Sequence, residues 1–170
     1  MKDKLLSKQG WVILLICIIS FFINNRVVVP DIMEARNMVT AREMVHDGNW
    51  LVPTMNGDLR LEKPPLPTWL TAVAEMISPD NLALQRAMAG FAAILLVAFF
   101  YLTAVQVMRN KRYAFISTIL LCTCYNIILM GRTASWDIYC HAFMMGAIYF
   151  LIRAFAAKVC SWKDFTWAGV

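Results

Sequence analysis

The sequence predicts an all-α membrane protein with four transmembrane helices and a long first extracytoplasmic loop that carries juxtamembrane amphipathic helices. Three observations support this fold class. The chain is 60% hydrophobic, whereas soluble domains contain about 45–50% apolar residues. The apolar residues are gathered into long runs, and a run of about 20 residues can cross a bilayer. All six prolines lie in the polar segment that follows the first run.

Three of the four predicted spans contain long stretches without a charged residue. These stretches are Ala87–Met108, Tyr113–Met130 and Ile138–Ile152. Each approaches the length of about 20 residues that a transmembrane helix needs, and flanking residues supply the remainder. We therefore predict spans at about residues 84–108, 113–130 and 138–157.

The first predicted span, residues 8–29, is less clear because its apolar centre, Trp11–Ile23, is short. Three lysines precede it, so the segment also fits a secretory signal peptide. No small-x-small cleavage site follows, which favours an uncleaved signal-anchor helix. Arg26 can extend the span by placing its charge at the membrane surface.

The distribution of charge predicts the orientation in the membrane. Lysines and arginines are concentrated at the N-terminus, at residues 109–112 and in the C-terminal tail, whereas residues 24–81 contain five Lys/Arg against eight Asp/Glu. By the positive-inside rule, the N-terminus is cytoplasmic and the first loop, about residues 30–82, lies on the opposite side. The net charge of +5 then reflects topology, and no nucleic-acid partner is predicted.

The first loop begins with a helical pattern that starts at Pro30-Asp31 and ends at Gly48. One face of this pattern is polar and the other is apolar, which predicts a helix lying on the bilayer surface. The polar face is predicted to contain Arg36, Thr40, Glu43 and Asp47, and the apolar face Ile32, Ala35, Met38, Val39, Ala41 and Val45.

A rigid segment and a second helix complete the loop. The second helical pattern runs from about Pro67 to Ile77, with proline in its first turn. Between the two helices, Asn56-Gly57 predicts a turn. Pro64 and Pro65 fix their own backbone angles, and they thereby restrict the movement of Lys63.

A few charges lie where apolar residues are expected. Asp31, Glu34 and Arg42 interrupt the apolar face of the first loop helix, and Asp137 stands at the entrance to the fourth span. Such charges are costly unless they are paired or functional. Two structural alternatives remain open. Asp31 and Glu34 can form a capping box, and Asp137 can cap the next helix or pair with Arg132.

Four segments resemble the first two extracytoplasmic loops of the GT-C membrane glycosyltransferases. They are similar above all to the aminoarabinose (lipid A) transferases and the wider protein-O-mannosyltransferase-like group. The segments are "EAR…AREM" (Glu34–Met44), "GNWLVP" (Gly48–Pro53), "NG…EKPPLPTW" (Asn56–Trp69) and "GRTASWD" (Gly131–Asp137). Such enzymes usually have eleven or more spans, so residues 1–170 resemble the N-terminal part of a GT-C transmembrane domain. We expect this part to be incomplete and inactive alone.

The resemblance implies a glycosyltransferase that uses a polyprenyl-phosphate-linked sugar donor. The acceptor is expected to be a lipid A-like molecule or a protein at the outer face of a bacterial inner membrane. The first loop is then periplasmic. Two other classes stay open: a non-catalytic membrane or assembly protein, and a transporter subunit. The charge-free centres of the later spans argue against transport, because transporters place ionisable groups near the bilayer midplane.

The resemblance also implies catalytic carboxylates in both loops. Glu34 matches the second member of the family's Asp-Glu pair, and Met33 stands where the first member is expected. Asp31, two residues upstream, is the nearby substitute, so either Asp31 or Glu34 can take the first-loop role. Asp137 matches the acidic residue of the second loop.

Cations are expected to bind the lipid phosphate of the donor. By resemblance, Lys63 is the first candidate, with Arg36 and Arg132 as further candidates and Glu62 in a supporting position. Arginine suits this task because its guanidinium binds phosphate oxygens in a bidentate manner.

No cofactor or metal is assigned. A divalent cation is compatible with the carboxylates of Glu62, Asp31 and Asp137, although no ligand spacing requires one.

Overall fold

The computed structural model describes residues 8–156 and 162–169. Helices dominate these residues, and a short antiparallel hairpin joins two of them. In chain order the elements are α1 (Lys8–Phe22), α2 (Ile32–Asp47), β1 (Thr54–Met55), β2 (Asp58–Leu59), α3 (Pro65–Ile77), α4 (Leu82–Met108), α5 (Lys111–Cys122), α6 (Tyr125–Gly131), α7 (Asp137–Ala156) and α8 (Trp162–Ala168).

The helix α4 forms the centre of the bundle. It packs most extensively against α7, and α1, α5 and α6 also contact it. Small side chains on α4 allow these close approaches, as they do between membrane helices in general. The buried residues at this centre include Cys17, Phe21, Ala89, Ala93, Val97, Cys122, Ile138 and Ala142.

Two described helices, α4 and α7, are long and apolar enough to cross a membrane. They agree with the predicted spans at residues 84–108 and 138–157. The predicted span at residues 113–130 is instead two helices, α5 and α6, bent by 64°. At the bend the Thr123 hydroxyl donates to the carbonyls of Ile119 and Leu120, and such side-chain bonds compete with the helical ladder.

The first apolar helix is shorter than its predicted span. The helix α1 ends at Phe22, whereas the span was predicted to reach residue 29. A turn follows at once: Asn24 has φ 57°, and its carbonyl accepts the Val27 amide at 3.2 Å. Asparagine adopts this left-handed conformation more readily than most residues. The count of four spans therefore stays a prediction.

Both loop helices form close to the predicted positions. Asp31 is the N-cap of α2, and its Oδ1 accepts the Glu34 amide at 2.7 Å. Gly48 ends α2 at φ 74°. The helix α3 begins at Pro65, two residues before the predicted start, because proline fits the first turn of a helix. The structure thus confirms the helix cap at Asp31, but the Glu34 side chain does not complete a capping box.

The face of α2 that packs inside the protein is more polar than the predicted apolar face. The helix buries Glu34, Asn37, Thr40, Ala41 and Met44, so Thr40 of the predicted polar face is buried, and Ile32 is 73% exposed. The reason is that α2 packs on α3 through hydrogen bonds as well as apolar contacts. The Asn37 amide donates to Thr71 Oγ1 at 3.0 Å and accepts from Thr68 Oγ1 at 2.8 Å. The position of α2 on the bilayer surface stays a prediction.

A β-hairpin, absent from the all-α prediction, follows α2. Strand β1 pairs with β2 in antiparallel register, Thr54 opposite Leu59. The two turn residues, Asn56 and Gly57, have φ 56° and 82°, as the two-residue hairpin turn with positive φ at both positions requires. Glu43 of α2 fixes the hairpin, since its carboxylate accepts the Thr54 hydroxyl at 2.7 Å and the Asn56 amide at 2.5 Å.

A buried ion pair connects the first loop to the bundle. Glu34 of α2 and Arg86 of α4 have side chains that are 0% and 2% exposed. The carboxylate accepts Arg86 Nε and Nη2, each at 2.7 Å, and the Ala134 amide at 2.9 Å. Arg86 Nη1 donates to the Asn25 carbonyl at 2.5 Å. One cluster therefore joins α2, α4, the segment after α1 and the loop before α7.

We predict that Arg86→Met lowers the free energy of unfolding by about 3–5 kcal/mol, because it leaves the Glu34 carboxylate buried and unpaired. Arg26→Met is the matched control. It removes an exposed arginine whose one side-chain hydrogen bond among the described residues is to Asn81, and we expect a change within about 0.5 kcal/mol. Unfolding is measured in detergent by tryptophan fluorescence. The double variant Glu34→Met/Arg86→Met should lose less than Arg86→Met alone; equal effects of Arg86→Met and Arg26→Met would contradict the prediction.

Gly131 allows a close contact at the end of α6. A Cβ at this position would lie 2.7 Å from the Phe21 ring and 2.9 Å from the Ala93 Cβ. Since both neighbours are fully buried, neither has free space into which to move. The glycine therefore sets how closely α6 approaches α1 and α4.

We predict that Gly131→Ala destabilises the protein by about 1–3 kcal/mol through overpacking. In Gly169→Ala the nearest atoms to the new Cβ lie at 3.7 Å, so this control should have little effect. Thermal unfolding of both variants provides the comparison. Adding Phe21→Leu to Gly131→Ala should give a loss smaller than the sum of the two single losses, and strict additivity would speak against the contact.

Candidate functional site

The loop between α6 and α7, residues 132–136, is docked on the first loop. Its Ala134 amide donates to Glu34 Oε1 at 2.9 Å, and the Ala134 carbonyl accepts Asn37 Nδ2 at 2.7 Å. All four groups are buried. The two loops that carry the family-like motifs therefore meet in one place.

Trp136, which is 5% exposed, brings two cations together at this junction. The Arg60 guanidinium carbon lies 5.1 Å from the centroid of the Trp136 ring, and Lys63 Nζ lies 5.6 Å from it. Both distances fit cation–π contacts. The Lys63 side chain is at the exposed surface, whereas Arg60 is 7% exposed.

Arg60 is held in place by α2. Its Nη1 donates to the Arg36 carbonyl at 2.6 Å and to Thr40 Oγ1 at 2.8 Å. Burial lowers the pKa of the Arg60 guanidinium below its ordinary value; the Glu62 carboxylate opposes this decrease, and the Arg36 guanidinium adds to it. Glu62 and Arg36, both exposed, therefore act electrostatically on Arg60.

The three predicted carboxylates differ in accessibility. Both oxygens of Glu34 are used in hydrogen bonds, and the side chain is fully buried. Asp31 and Asp137 are exposed, at the start of α2 and at the start of α7. Asp31 is three residues before Glu34, and Asp137 is three residues after Ala134, whose amide bonds Glu34. Asp31 and Asp137 thus flank the junction, and Glu34 is enclosed within it.

Arg132 has a different position from the other candidate cations. It donates to the carbonyls of Ser20 and Ile23 at 3.2 and 2.5 Å, so it binds the end of α1. Within the part of the chain that the structure describes, Arg132 forms no ion pair with Asp137. It lines a cavity of about 150 Å³ together with Arg86. The structure therefore groups Arg36, Glu62 and Lys63 around Arg60, and it separates Arg132 from them by its contacts.

Two apolar grooves lie along α7, and the first of them includes Pro64, the chain neighbour of Lys63. The first, about 370 Å³, is lined by Pro64, Leu66, Pro67, Trp136, Tyr139, Cys140 and Phe143. The second, about 300 Å³, is lined by Leu70, Met88, Phe91, Ala92, Leu95, Tyr139, Ala142 and Phe143. The two share Tyr139 and Phe143, so they are neighbours along α7. An apolar surface thus leads from the cations toward the centres of α4 and α7.

Sequence reasoning missed several residues of this junction. Arg60 is three positions before Lys63, but its place directly after strand β2, in contact with α2, was not foreseen. Neither Trp136 nor Asn37 was predicted as a site residue. Arg86 carries the one usable signal, since it is an arginine directly before a charge-free run of 22 residues, where an unpaired charge is unfavourable.

No metal centre emerges from the described residues. Among residues 8–156 and 162–169, no three His, Cys, Asp or Glu side chains lie close enough together to hold a metal ion. The divalent cation considered for Asp31, Glu62 and Asp137 therefore has no ligand set in this part of the chain.

Similar proteins match this chain over much of its length. The family model described as dolichyl-phosphate-mannose-protein mannosyltransferase matches residues 11–170. An undecaprenyl phosphate-alpha-4-amino-4-deoxy-L-arabinose arabinosyl transferase from Pseudomonas savastanoi pv. phaseolicola is 34% identical over 92 residues, or 54% of this chain and 17% of the relative. A protein of the same name from Shewanella sediminis is 31% identical over 108 residues, or 64% of this chain and 19% of the relative.

A solved structure has the same fold. ArnT from Cupriavidus metallidurans bound to undecaprenyl phosphate superposes with a TM-score of 0.73 at 19% identity, over 90% of this chain and 29% of ArnT. At this identity the similarity shows the fold alone. The chain spans less than a third of ArnT and about a fifth of the two transferases. Since the family match extends over residues 11–170, the chain belongs to the dolichyl-phosphate-mannose-protein mannosyltransferase family.

Proposed function

We propose that this protein is a membrane glycosyltransferase that moves a sugar from a polyprenyl-phosphate-linked donor to a lipid A-like or protein acceptor. The reaction takes place at the outer face of a bacterial inner membrane. Family membership and the names of the arabinosyl transferases support this reaction class. The similar fold of ArnT, which was solved with undecaprenyl phosphate, supports a polyprenyl-phosphate donor.

The observation that carries the proposal is the position of Lys63 at the end of an apolar groove. Its ammonium lies 5.6 Å from the Trp136 ring, and its neighbour Pro64 lines the groove. A polyprenyl phosphate has a long apolar tail and a charged head. The groove along α7 suits the tail, and Lys63, with Arg36 on the adjacent helix, suits the phosphate.

The proposed catalytic carboxylates are Asp31 and Asp137. A base must reach the acceptor hydroxyl to remove its proton, and both side chains are exposed on either side of the loop junction. Glu34 is fully committed to Arg86 and Ala134, so we assign it a positioning role. If the acceptor is itself a phosphate, as a lipid A phosphate would be, the oxygen is already deprotonated. The two carboxylates then orient the acceptor and the sugar.

We predict that Lys63→Met, Asp31→Asn and Asp137→Asn each lower kcat by about 100-fold or more in the full-length protein, because each removes a charge that acts in the transition state. Transfer from a polyprenyl-phosphate sugar is followed in nanodiscs by mass spectrometry of the acceptor. Asp58→Asn, on the exposed hairpin, is the matched control and should keep normal turnover. Normal turnover in all three site variants would disprove the site.

We predict a different effect for Glu34→Gln. This variant should reduce the folded fraction and the melting temperature, because it disturbs the pair with Arg86. The turnover per folded molecule should fall far less than in Asp31→Asn. The two quantities are separated by measuring folded protein and product in the same sample. A stable Glu34→Gln protein with no turnover would reassign the first-loop carboxylate to Glu34.

A further inference from the structure

Arg60 has hydrogen-bond donors that the protein does not use. A guanidinium has five N–H donors, yet the protein bonds of Arg60 all come from Nη1, to Arg36, Thr40 and the Met55 sulfur. Within the described residues, Nε and Nη2 have no hydrogen-bond partner and Arg60 forms no ion pair. A buried arginine without a paired anion is unfavourable. This pattern is typical of a cation whose partner is a ligand.

The surroundings of Arg60 are also positively charged. Lys63 lies against the same Trp136 ring, and the charge of Arg36 disfavours the charged form of Arg60. Neither Lys63 nor Arg36 has a salt bridge in the part of the chain that the structure describes. The Glu62 carboxylate acts on Arg60 in the opposite direction, raising its pKa. Three cations against one carboxylate leave a net positive charge that an anion would compensate.

We propose that Arg60 is a third phosphate-binding cation at the Lys63 site, and that Trp136 is the positioning residue that holds Arg60 and Lys63 on one ring. This inference rests on the proposed function and deepens it. Arg60 follows the hairpin, and its side chain is hydrogen-bonded to α2. Lys63 lies in the segment before α3. Because Trp136 belongs to the other loop, docking of that loop brings the two cations together.

The third cation has a defined task in the reaction. The donor is a phosphodiester with one negative charge. In the transfer step the bond between the sugar C1 and the bridging phosphate oxygen breaks, and the electron pair stays on that oxygen. An acceptor oxygen forms the new bond to C1, and its proton, if it has one, passes to a carboxylate. The leaving polyprenyl phosphate thereby gains a second negative charge, which Arg60 stabilises.

The test compares a dianionic with a monoanionic ligand. Farnesyl phosphate and farnesyl methyl phosphate share a tail and differ by one charge at pH 8. Their dissociation constants are measured for the full-length protein in nanodiscs. For Arg60→Gln, which keeps an N–H donor for Arg36 and Thr40, we expect the preference for the dianion to fall about 10-fold or more, as loss of a charged hydrogen bond implies.

Three controls separate charge from structure. Arg60→Lys keeps the charge and should keep most of the preference. Thr40→Val removes an anchor of Arg60 without changing charge, so it should lower the dianion preference less than Arg60→Gln does. Arg112→Met removes an exposed arginine in the first turn of α5 and should change neither constant. We expect Trp136→Phe to retain the preference for the dianion and Trp136→Leu to lose it, because an aromatic ring attracts cations and an aliphatic side chain does not.

The outcomes also separate this inference from the proposed function. If farnesyl phosphate does not bind, or if Lys63→Met leaves its binding unchanged, the proposed function itself fails. If Lys63→Met weakens binding but Arg60→Gln keeps the full dianion preference, the third-cation inference alone is overturned. If Arg60→Gln does not fold, Trp136→Leu provides the test instead. An unchanged dianion preference in Trp136→Leu would likewise overturn the third-cation inference.

Discussion

The buried ion pair between Glu34 and Arg86 is the interaction on which the arrangement of this protein depends. It connects the surface helix α2 to the central helix α4, and it also binds the backbone of the two segments around it. Removing two charges from water is costly, and good geometry with additional hydrogen bonds offsets that cost. Here both carboxylate oxygens and all three guanidinium nitrogens have partners. The pair thus fixes where the loops lie relative to the bundle.

This use of Glu34 has a consequence for the chemistry. A carboxylate that neutralises a buried arginine cannot also accept a proton from a substrate without leaving that arginine unpaired. We therefore assign the reactive roles, as a proposal, to Asp31 and Asp137, which stand at exposed helix starts near the same contact. Glu34 acts on them through the backbone, because it determines the position of Ala134 and of the first turn of α2.

The cation cluster follows from the same docking. With the loop before α7 fixed on α2, Trp136 lies against Arg60 and Lys63, which are three positions apart in the segment between β2 and α3. The first apolar groove on α7 includes Trp136, and the second shares Tyr139 and Phe143 with it. A lipid phosphate needs cations for its phosphate and an apolar groove for its tail. The two are adjacent here because a polar loop is held at the end of apolar helices.

The sequence by itself determined the helical class, the limits of α4 and α7, the cap at Asp31 and the turn at Asn56-Gly57, because hydrophobic run length and local backbone preferences decide these features. Lys63 and Asp137 were identified by resemblance. Tertiary structure alone decided that α2 buries a polar face, that Glu34 pairs with Arg86 across 52 positions, and that Arg60 joins Lys63 on Trp136. A prediction from hydrophobic periodicity places apolar residues on the buried face of a helix. The buried face of α2 instead bonds polar groups of α3 and of a distant loop. Such partners are fixed only when the chain folds, since no local pattern records which distant group will satisfy a buried charge.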